Sequence, residues 1–249
     1  GPNTAQLLGE SLELTDNNYT HYGNSNAYPG TDPDPLLGLM NGVVFYRGYT
    51  YAISDLDLAV MADLGLGTFR DDVLQMPLLA VMRGGAGNDR IIGGSEANSL
   101  FGDEGDDRIE GGGGADLLYG GTGDDTYLVD RQADLVFESA GEGSDRIEST
   151  VDFYLYANVE HLTLAAGAGN IFGVGNELAN VIEGNEGDNL LIGWDGDDTL
   201  RGGEGNDILY GVDGVDQMNG DGGIDYLVGG AGNDFLYGDD GADALYGED

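Results

Sequence analysis

The sequence predicts an all-β fold, a solenoid of short strands and tight turns, because it repeats with a period of nine residues. The repeat fills a block of five units over residues 84–128 and a block of eight units over residues 175–246. Across these 13 units the first residue is always Gly, the fourth is Gly in 11, and the sixth is Asp in ten and Asn in three. The eighth residue is apolar in all 13 units. A short fixed period is typical of stacked repeats, none of which can bury its apolar residue alone.

Each nine-residue unit is expected to form one turn and one strand. Glycine adopts the φ > 0 conformations that tight turns need and lets two backbones approach closely, so the first six residues predict the turn. The last three residues predict a strand, in which neighbouring side chains point to opposite sides. The eighth residue should therefore point inward, as in Ile91, Leu118, Leu200, Leu209 and Leu236.

The charge of the chain excludes several classes of partner. Its 249 residues include 47 Asp and Glu but only 8 Lys and Arg, which gives a formal net charge of −39. Such a chain repels phosphate backbones and anionic membranes, so we expect no nucleic-acid partner and a cation as ligand. All eight basic residues are Arg, so a P-loop lysine is absent, and there is no cysteine to form disulfides or thiolate metal sites. No apolar run is long enough to predict a membrane span.

Stacking the repeats places like charges together. Neighbouring coils of a solenoid lie about 4.8 Å apart, so each sixth-position carboxylate should face another one. At that distance two carboxylates repel by about 3 to 4 kcal/mol at an effective dielectric near 20. A hard divalent cation between the turns would convert this repulsion into coordination, and backbone carbonyls of the turns would complete an all-oxygen site. This ligand set favours calcium over magnesium, and over zinc or copper, which prefer His and Cys.

The units resemble the GGxGxDxUx nonapeptide of RTX (repeats-in-toxin) proteins, the calcium-binding parallel β-roll of bacterial exoproteins. The resemblance implies that two nonapeptides form one right-handed coil and that calcium lies between a turn and the next turn on the same edge, with about nine ions in all. The implied carboxylate ligands are Asp89, Asp107, Asp116, Asp125, Asp198, Asp207, Asp216, Asp225, Asp234 and Asp243. The implied carbonyl ligands include Gly85, Gly87, Gly112, Gly114, Gly121, Gly123, Gly203, Gly205, Gly230 and Gly232. Turns that carry Asn98, Asn180 or Asn189 should bind calcium weakly or not at all.

Residues 129–174 interrupt the period between the two blocks, which we place at 84–128 and 175–249. Alternating apolar residues persist there, with Ile147, Val151, Phe153 and Leu155 predicted on one face. We expect several strands that continue the solenoid as a calcium-poor connector, with His161 on one of them as a packed or solvated side chain and not a metal ligand.

Residues 1–83 lack the repeat and predict a small, mainly α-helical or irregular capping region. Ser54 as N-cap and Gly65 as terminator predict a helix over Asp55–Leu64. A second helical stretch is expected from Asp71 to Gln75. Five apolar residues of this region are expected to bury against the first coils: Phe45, Tyr46, Leu78, Leu79 and Val81.

This region also resembles the C-terminal end of a leishmanolysin-like metzincin protease domain. In that family a His in this region is the third zinc ligand, a Met follows it, and the domain closes with a helix ending in Asp-Leu-Gly; the matching positions are His21 and Met40. The HExxH helix that supplies two zinc ligands and the general base is not in this chain. A zinc site would therefore exist only in a longer parent chain, and otherwise His21 is a solvated loop residue of a capping region. The segments that carry the resemblance are 1–9, 20–22, 36–41 and 54–65.

Three functions are consistent with the sequence. The first is a calcium-binding module of a secreted bacterial exoprotein, which would leave the cell through the type I secretion machinery, with an export signal beyond Asp249, and fold outside on binding calcium. The second is the C-terminal fragment of a secreted zinc metalloprotease, whose catalytic domain would precede Gly1; the chain itself is expected not to be catalytic. The third is a spacer in an adhesin or surface layer.

Overall fold

The structure, a computed structural model, describes residues 3–7, 10–14, 35–40, 43–46, 68–69, 73–75 and 81–247. The chain divides into two compact units, Gly1–Leu66 and Gly67–Asp249. The described strands of the first unit form two antiparallel pairs. They are β1 (Asn3–Leu7) with β2 (Glu10–Leu14), and β3 (Pro35–Met40) with β4 (Val43–Tyr46).

The second unit is a parallel β-solenoid, which confirms the predicted fold class. Its strands alternate between two faces, and every pairing between them is parallel. The first face, called the long sheet, contains β6 (Val73–Gln75), β8 (Arg90–Ile92), β10 (Arg108–Glu110), β12 (Thr126–Val129), β14 (Arg146–Ser149), β16 (His161–Leu164), β18 (Val181–Glu183), β20 (Thr199–Glu204), β22 (Gln217–Gly223), β24 (Phe235–Tyr237) and β25 (Asp240–Gly241).

The second face consists of two separate sheets. The first contains β5 (Thr68–Phe69), β7 (Val81–Ala86), β9 (Ser99–Glu104), β11 (Leu117–Thr122) and β13 (Leu135–Phe137). The second contains β15 (Phe153–Tyr154), β17 (Phe172–Val174), β19 (Leu190–Asp195), β21 (Ile208–Asp213), β23 (Tyr226–Ala231) and β26 (Ala244–Tyr246). The ladder on this face is thus interrupted between β13 and β15, whereas the long sheet continues.

Two nonapeptides form one coil, as predicted. In the long sheet Arg90 pairs with Arg108 and Arg108 with Thr126, each 18 residues further along the chain. Between the blocks the step changes: Thr126 pairs with Arg146, Arg146 with His161, and His161 with Val181. Residues 129–174 therefore continue the long sheet with coils of unequal length.

The core is a column of inward-pointing eighth residues. Ile91, Leu118, Leu200 and Leu209 are fully buried, as predicted. Leu236 is only partly buried, because fewer coils cover it at this end. Tyr127 occupies the same inward position and is also fully buried. Burying one such apolar side chain contributes about 1.5 to 3 kcal/mol, so the column supplies most of the apolar stabilisation.

Three local predictions are wrong. Val73–Gln75 is not helical but forms β6, in which Leu74 pairs with Ile91, because it extends the long sheet by one coil before the repeat begins. Val81 is 47% exposed, because it lies on the outward side of β7. Ile147 and Phe153 are both buried but lie on opposite faces of the solenoid, in β14 and β15, rather than on one strand.

Further predictions for residues 1–83 fall on parts of the chain that the structure does not describe. The helix over Asp55–Leu64 and the residues Leu78 and Leu79 lie outside the described residues, and for Phe45 and Tyr46 only the backbone of β4 is described. Within the described residues there is no helix, and hence none long and apolar enough to cross a membrane.

Candidate metal centre

The sixth residues of the units, together with Asp134 and Asp145 between the two blocks, form two rows, because each directly precedes a strand of one face. The row beside the long sheet consists of Asp89, Asp107, Asp125, Asp145, Asn180, Asp198, Asp216 and Asp234. The row beside the second face consists of Asn98, Asp116, Asp134, Asn189, Asp207, Asp225 and Asp243. We call these the long-sheet row and the second-face row.

In the row aspartates from Asp107 onward, one carboxylate oxygen accepts a hydrogen bond from the backbone of the preceding coil. The backbone N–H of Asp89 donates to Oδ1 of Asp107 at 2.7 Å, and the N–H of Asp107 donates to Oδ1 of Asp125 at 2.7 Å. In the second-face row the N–H of Asp207 donates to Oδ1 of Asp225 at 2.8 Å. Within each block, a sixth residue thus contacts the sixth residue of the neighbouring coil on its own edge, which is the arrangement that places like charges together.

The other carboxylate oxygen, Oδ2, is buried without a hydrogen-bond partner. The aspartates with such an oxygen include Asp107, Asp116, Asp125, Asp134, Asp145, Asp198, Asp207, Asp216, Asp225 and Asp234. A buried polar atom without a partner is costly and rare in native proteins. Two rows of such oxygens indicate a ligand that the polypeptide itself does not supply.

Burial raises the pKa of these carboxyl groups. The pKa values of Asp107, Asp125, Asp198 and Asp207 are raised to about 7, chiefly by desolvation, with a further increase from row neighbours. The backbone N–H that each Oδ1 accepts acts in the opposite direction and lowers the pKa. The rows therefore favour a proton or a cation over bare negative charge.

The first glycine of each unit leaves room for the carboxylate. A Cβ added to Gly102 would lie closer than 3.0 Å to Oδ2 of Asp107 and to the carbonyl oxygen of Gly120 in the next coil. No side chain could occupy this position without displacing the carboxylate. The invariant first glycine is thus explained by the Asp or Asn side chain five residues later.

Turns with Asp and turns with Asn have different backbones. In nine of the ten Asp units the second and fourth residues both have positive φ, for example 105° at Gly85 and 121° at Gly87. None of the three Asn units has a positive φ at either position. All ten glycines predicted to supply carbonyl ligands have positive φ, so the structure places them in the conformation that distinguishes the Asp turns.

In the Asn turns of block two, the Asn side chain forms hydrogen bonds within its own turn and with the preceding coil. The N–H of Asn176 donates to Oδ1 of Asn180 within the same turn at 2.8 Å, and Nδ2 of Asn180 donates to the carbonyl oxygen of Val159 in the preceding coil at 3.2 Å. The N–H of Asn185 likewise donates to Oδ1 of Asn189 at 2.8 Å. The amide thus supplies both an acceptor and donors, so these turns need no cation.

The structure places the ten predicted aspartates in the two rows. Eight of them are buried, whereas Asp234 and Asp243 in the last coils are only partly buried. His21 lies outside the described residues. His161, on β16, is partly buried with its Nε2 2.9 Å from Oγ of Ser144.

Sequence reasoning missed two row members between the blocks, Asp134 and Asp145. Oδ1 of Asp134 accepts the N–H of Asp116, and Oδ1 of Asp145 accepts the N–H of Asp125. A signal existed for Asp145, because residues 145–148 repeat the Asp-Arg-Ile-Glu sequence of residues 107–110. Asp134 is the sixth residue of a nonapeptide, 129–137, that has lost its glycines.

The donor set fits a hard cation. Carboxylate oxygens that lack partners and turns rich in backbone carbonyls are the ligands that calcium prefers, at six to eight per ion. When bound, calcium would supply positive charge to the rows; the chain's own residues supply the oxygens and the rigid turn spacing.

Comparison with known families agrees with this geometry. The sequence matches the family described as RTX calcium-binding nonapeptide repeat (4 copies) in six overlapping segments. These segments are residues 81–108, 92–127, 101–136, 174–209, 195–227 and 219–249, which together cover more than half of the chain. No curated protein matches the sequence.

Proposed function

Because this chain belongs to the RTX calcium-binding nonapeptide repeat family, we propose that at neutral pH its solenoid folds only when calcium neutralises the two aspartate rows. The observation that carries the proposal is the series of buried Oδ2 atoms that lack hydrogen-bond partners in consecutive turns. A ligand that binds only the folded state adds its binding free energy to stability. Calcium binding and folding would then be one equilibrium.

The rows suggest where the ions bind. One ion between each two aspartates that are adjacent in a row gives eight sites: 89/107, 107/125, 125/145, 198/216, 216/234, 116/134, 207/225 and 225/243. This number is close to the nine expected from the repeat count, but the sites differ. Three gaps that begin with an Asn turn are omitted, and two gaps that involve Asp134 and Asp145 are added.

The decisive experiment is a calcium titration of the metal-stripped chain by far-UV circular dichroism, with magnesium as the control cation. We expect a cooperative gain of β signal with calcium and none with magnesium at the same concentration. Equal β signal in chelator would mean that the apolar column alone holds the solenoid, and the proposed coupling would be wrong.

A calcium-coupled fold suits a protein that is exported and works outside the cell. With a net charge of −39, the metal-free chain repels itself and favours expanded conformations. We propose that it stays unfolded at low cytoplasmic calcium, passes a type I secretion channel in that state and folds in extracellular calcium. The titration midpoint tests this: a value near cytoplasmic calcium would contradict it, and one between cytoplasmic and extracellular levels would support it.

A further inference from the structure

The first unit after block one departs from the repeat at Glu138. This residue lies 18 positions after Gly120, where a coil of regular length would place another first glycine. The unit that it begins has 11 residues, 138–148, instead of nine, so the step from Asp125 to Asp145 in the long-sheet row is 20 residues. A side chain therefore occupies a place that elsewhere has none.

The Glu138 side chain enters the space beside Gly120. A Cβ added to Gly120 would lie closer than 3.0 Å to three oxygens: Oδ2 of Asp125, the hydroxyl of Tyr127 and Oε1 of Glu138. At Gly102, by comparison, the neighbours are Oδ2 of Asp107 and a backbone carbonyl of the next coil. Glu138 thus brings a carboxylate oxygen to the place where regular coils have a backbone carbonyl.

Three carboxylates converge at this point. One oxygen each of Asp125, Glu138 and Asp145 lies within 4.8 Å of the other two. Asp125 and Asp145 are each only 1% exposed, and their Oδ2 atoms and Oε2 of Glu138 are buried without hydrogen-bond partners. Glu138 also accepts a hydrogen bond from the hydroxyl of Tyr127, which fixes its direction.

No arginine in the part of the chain that the structure describes forms an ion pair with this group. The ion pairs among the described residues join arginines to other acids, such as Arg108 to Glu148 and Arg146 to Glu183, and none includes a member of the trio. Three ionised carboxylates this close and this buried repel one another strongly. A proton or a bound cation must therefore neutralise part of this charge.

We propose that Asp125, Glu138 and Asp145 bind a divalent cation through side-chain carboxylates, so that Glu138 of the irregular coil gives the 125/145 site a third carboxylate that the nonapeptide turns lack. All its identified donors are carboxylate oxygens, so calcium suits it, and soft metals that prefer thiolate or imidazole do not. This inference rests on the proposed function, because Asp125 and Asp145 also belong to the long-sheet row. Its specific content is that Glu138, which is outside the repeat pattern, is a ligand.

The test compares three variants of the full chain by counting bound calcium and measuring the titration midpoint. Glu138→Gln keeps the shape of the side chain and its hydrogen bond with Tyr127 but removes the charge. We expect it to bind one calcium ion fewer than the wild type, or to need at least about tenfold more calcium to fill that site. Mutation of a residue that supports a metal site typically lowers the metal affinity by at least that factor. Glu142→Gln removes the same charge from the same coil at a residue outside the trio and should leave the count unchanged.

Tyr127→Phe separates coordination from core packing. It removes the hydroxyl but leaves Glu138 ionisable, so the calcium count should stay that of the wild type. Equal counts in all three variants would overturn the proposal, and the trio would then hold a proton on Glu138 instead of a cation. Unfolding of Glu138→Gln alone at saturating calcium would support the proposal, whereas unfolding of both Glu138→Gln and Tyr127→Phe would show a structural pair and overturn it. A wild-type chain that binds no calcium would instead contradict the proposed function.

Discussion

At the residue scale, the second position of each Asp turn requires an unusual backbone. Its φ is positive whether or not the residue is glycine, including 92° at Val212 and 89° at Trp194. A β-branched residue with positive φ is a genuine outlier, because its Cβ crowds the backbone. The turn imposes this conformation even where the sequence opposes it.

Val212→Gly should therefore stabilise the solenoid. Relief of the left-handed strain is worth about 1 to 2 kcal/mol and outweighs the greater flexibility of glycine, about 0.5 to 1 kcal/mol. The measurement is thermal unfolding in saturating calcium, in which the midpoint should rise. Val215→Gly, in the same coil but without positive φ, should lower it. If both variants lose stability equally, the strain at Val212 is negligible.

Asp207 tests the assignment of the row aspartates as ligands. Asp207→Asn retains the shape but removes the charge and one carboxylate oxygen, so the calcium midpoint should rise and one ion should be lost. The control is Asp197→Asn, which removes an exposed carboxylate whose Oδ1 accepts the N–H of Val215, a bond that the amide oxygen can keep. Calcium titrations of the two variants should differ; identical curves would mean that only net charge matters.

At the element scale, the long sheet connects the two blocks. The parallel pairings of β12 with β14, β14 with β16 and β16 with β18 carry it through residues 129–174. The second face is interrupted at the same level, between β13 and β15. We therefore expect the stabilities of the two blocks to be coupled through the strands of the long sheet.

Ile147→Ala should reveal this dependence. Ile147 is fully buried in β14, and its truncation should cost about 2 to 5 kcal/mol. Trp194, the sole tryptophan of the chain, reports on block two through its fluorescence. In Ile147→Ala we expect the unfolding midpoint reported by Trp194 fluorescence to fall together with the midpoint reported by circular dichroism. The control Thr150→Ala, at an exposed residue, should change neither midpoint. An unchanged Trp194 transition in Ile147→Ala would mean that the blocks unfold separately.

At the scale of the whole molecule, the two rows make stability depend on pH. The pKa values of Asp107, Asp125, Asp198 and Asp207 are about 7 in the folded chain, against about 3.9 for an unfolded aspartate. A raised folded-state pKa contributes stability that is fully present below pH 4 and is lost as the pH rises through 7. Without metal, the solenoid should therefore be more stable at pH 5 than at pH 8.

Calcium reverses this trend, because the ion must displace the protons that the rows hold. The calcium midpoint should fall as the pH rises from 5 to 8, and binding at pH 6 should release protons that can be measured in weak buffer. Titrations by circular dichroism at several pH values, in chelator and in calcium, give both quantities. A midpoint that does not change with pH would show that the row carboxylates are already ionised in the metal-free chain.

The sequence could predict the regular part of this molecule because that part is governed by local rules. Glycine at positions one and four, Asp at position six and an apolar eighth residue suffice to predict turn, strand and core, and Ile91, Leu118 and Leu209 lie where the period places them. The stacking of like charges, and hence the need for a cation, also follows from the period alone. The identity of the sixth residue predicts that Asp and Asn turns differ in calcium binding. It does not predict that their backbone conformations differ.

Only the tertiary structure decided what happens where the period fails. Asp134, Glu138 and Asp145 lie in a stretch without regular glycines, and the neighbours of Asp145 depend on coils of unequal length that pair across 20 and 15 residues rather than 18. Residues 73–75 likewise became a strand because the long sheet offered an edge to extend, whatever their local preference. Pairing between distant strands fixes these side chains, and the partners of a strand cannot be determined from local sequence once the repeat no longer sets the register.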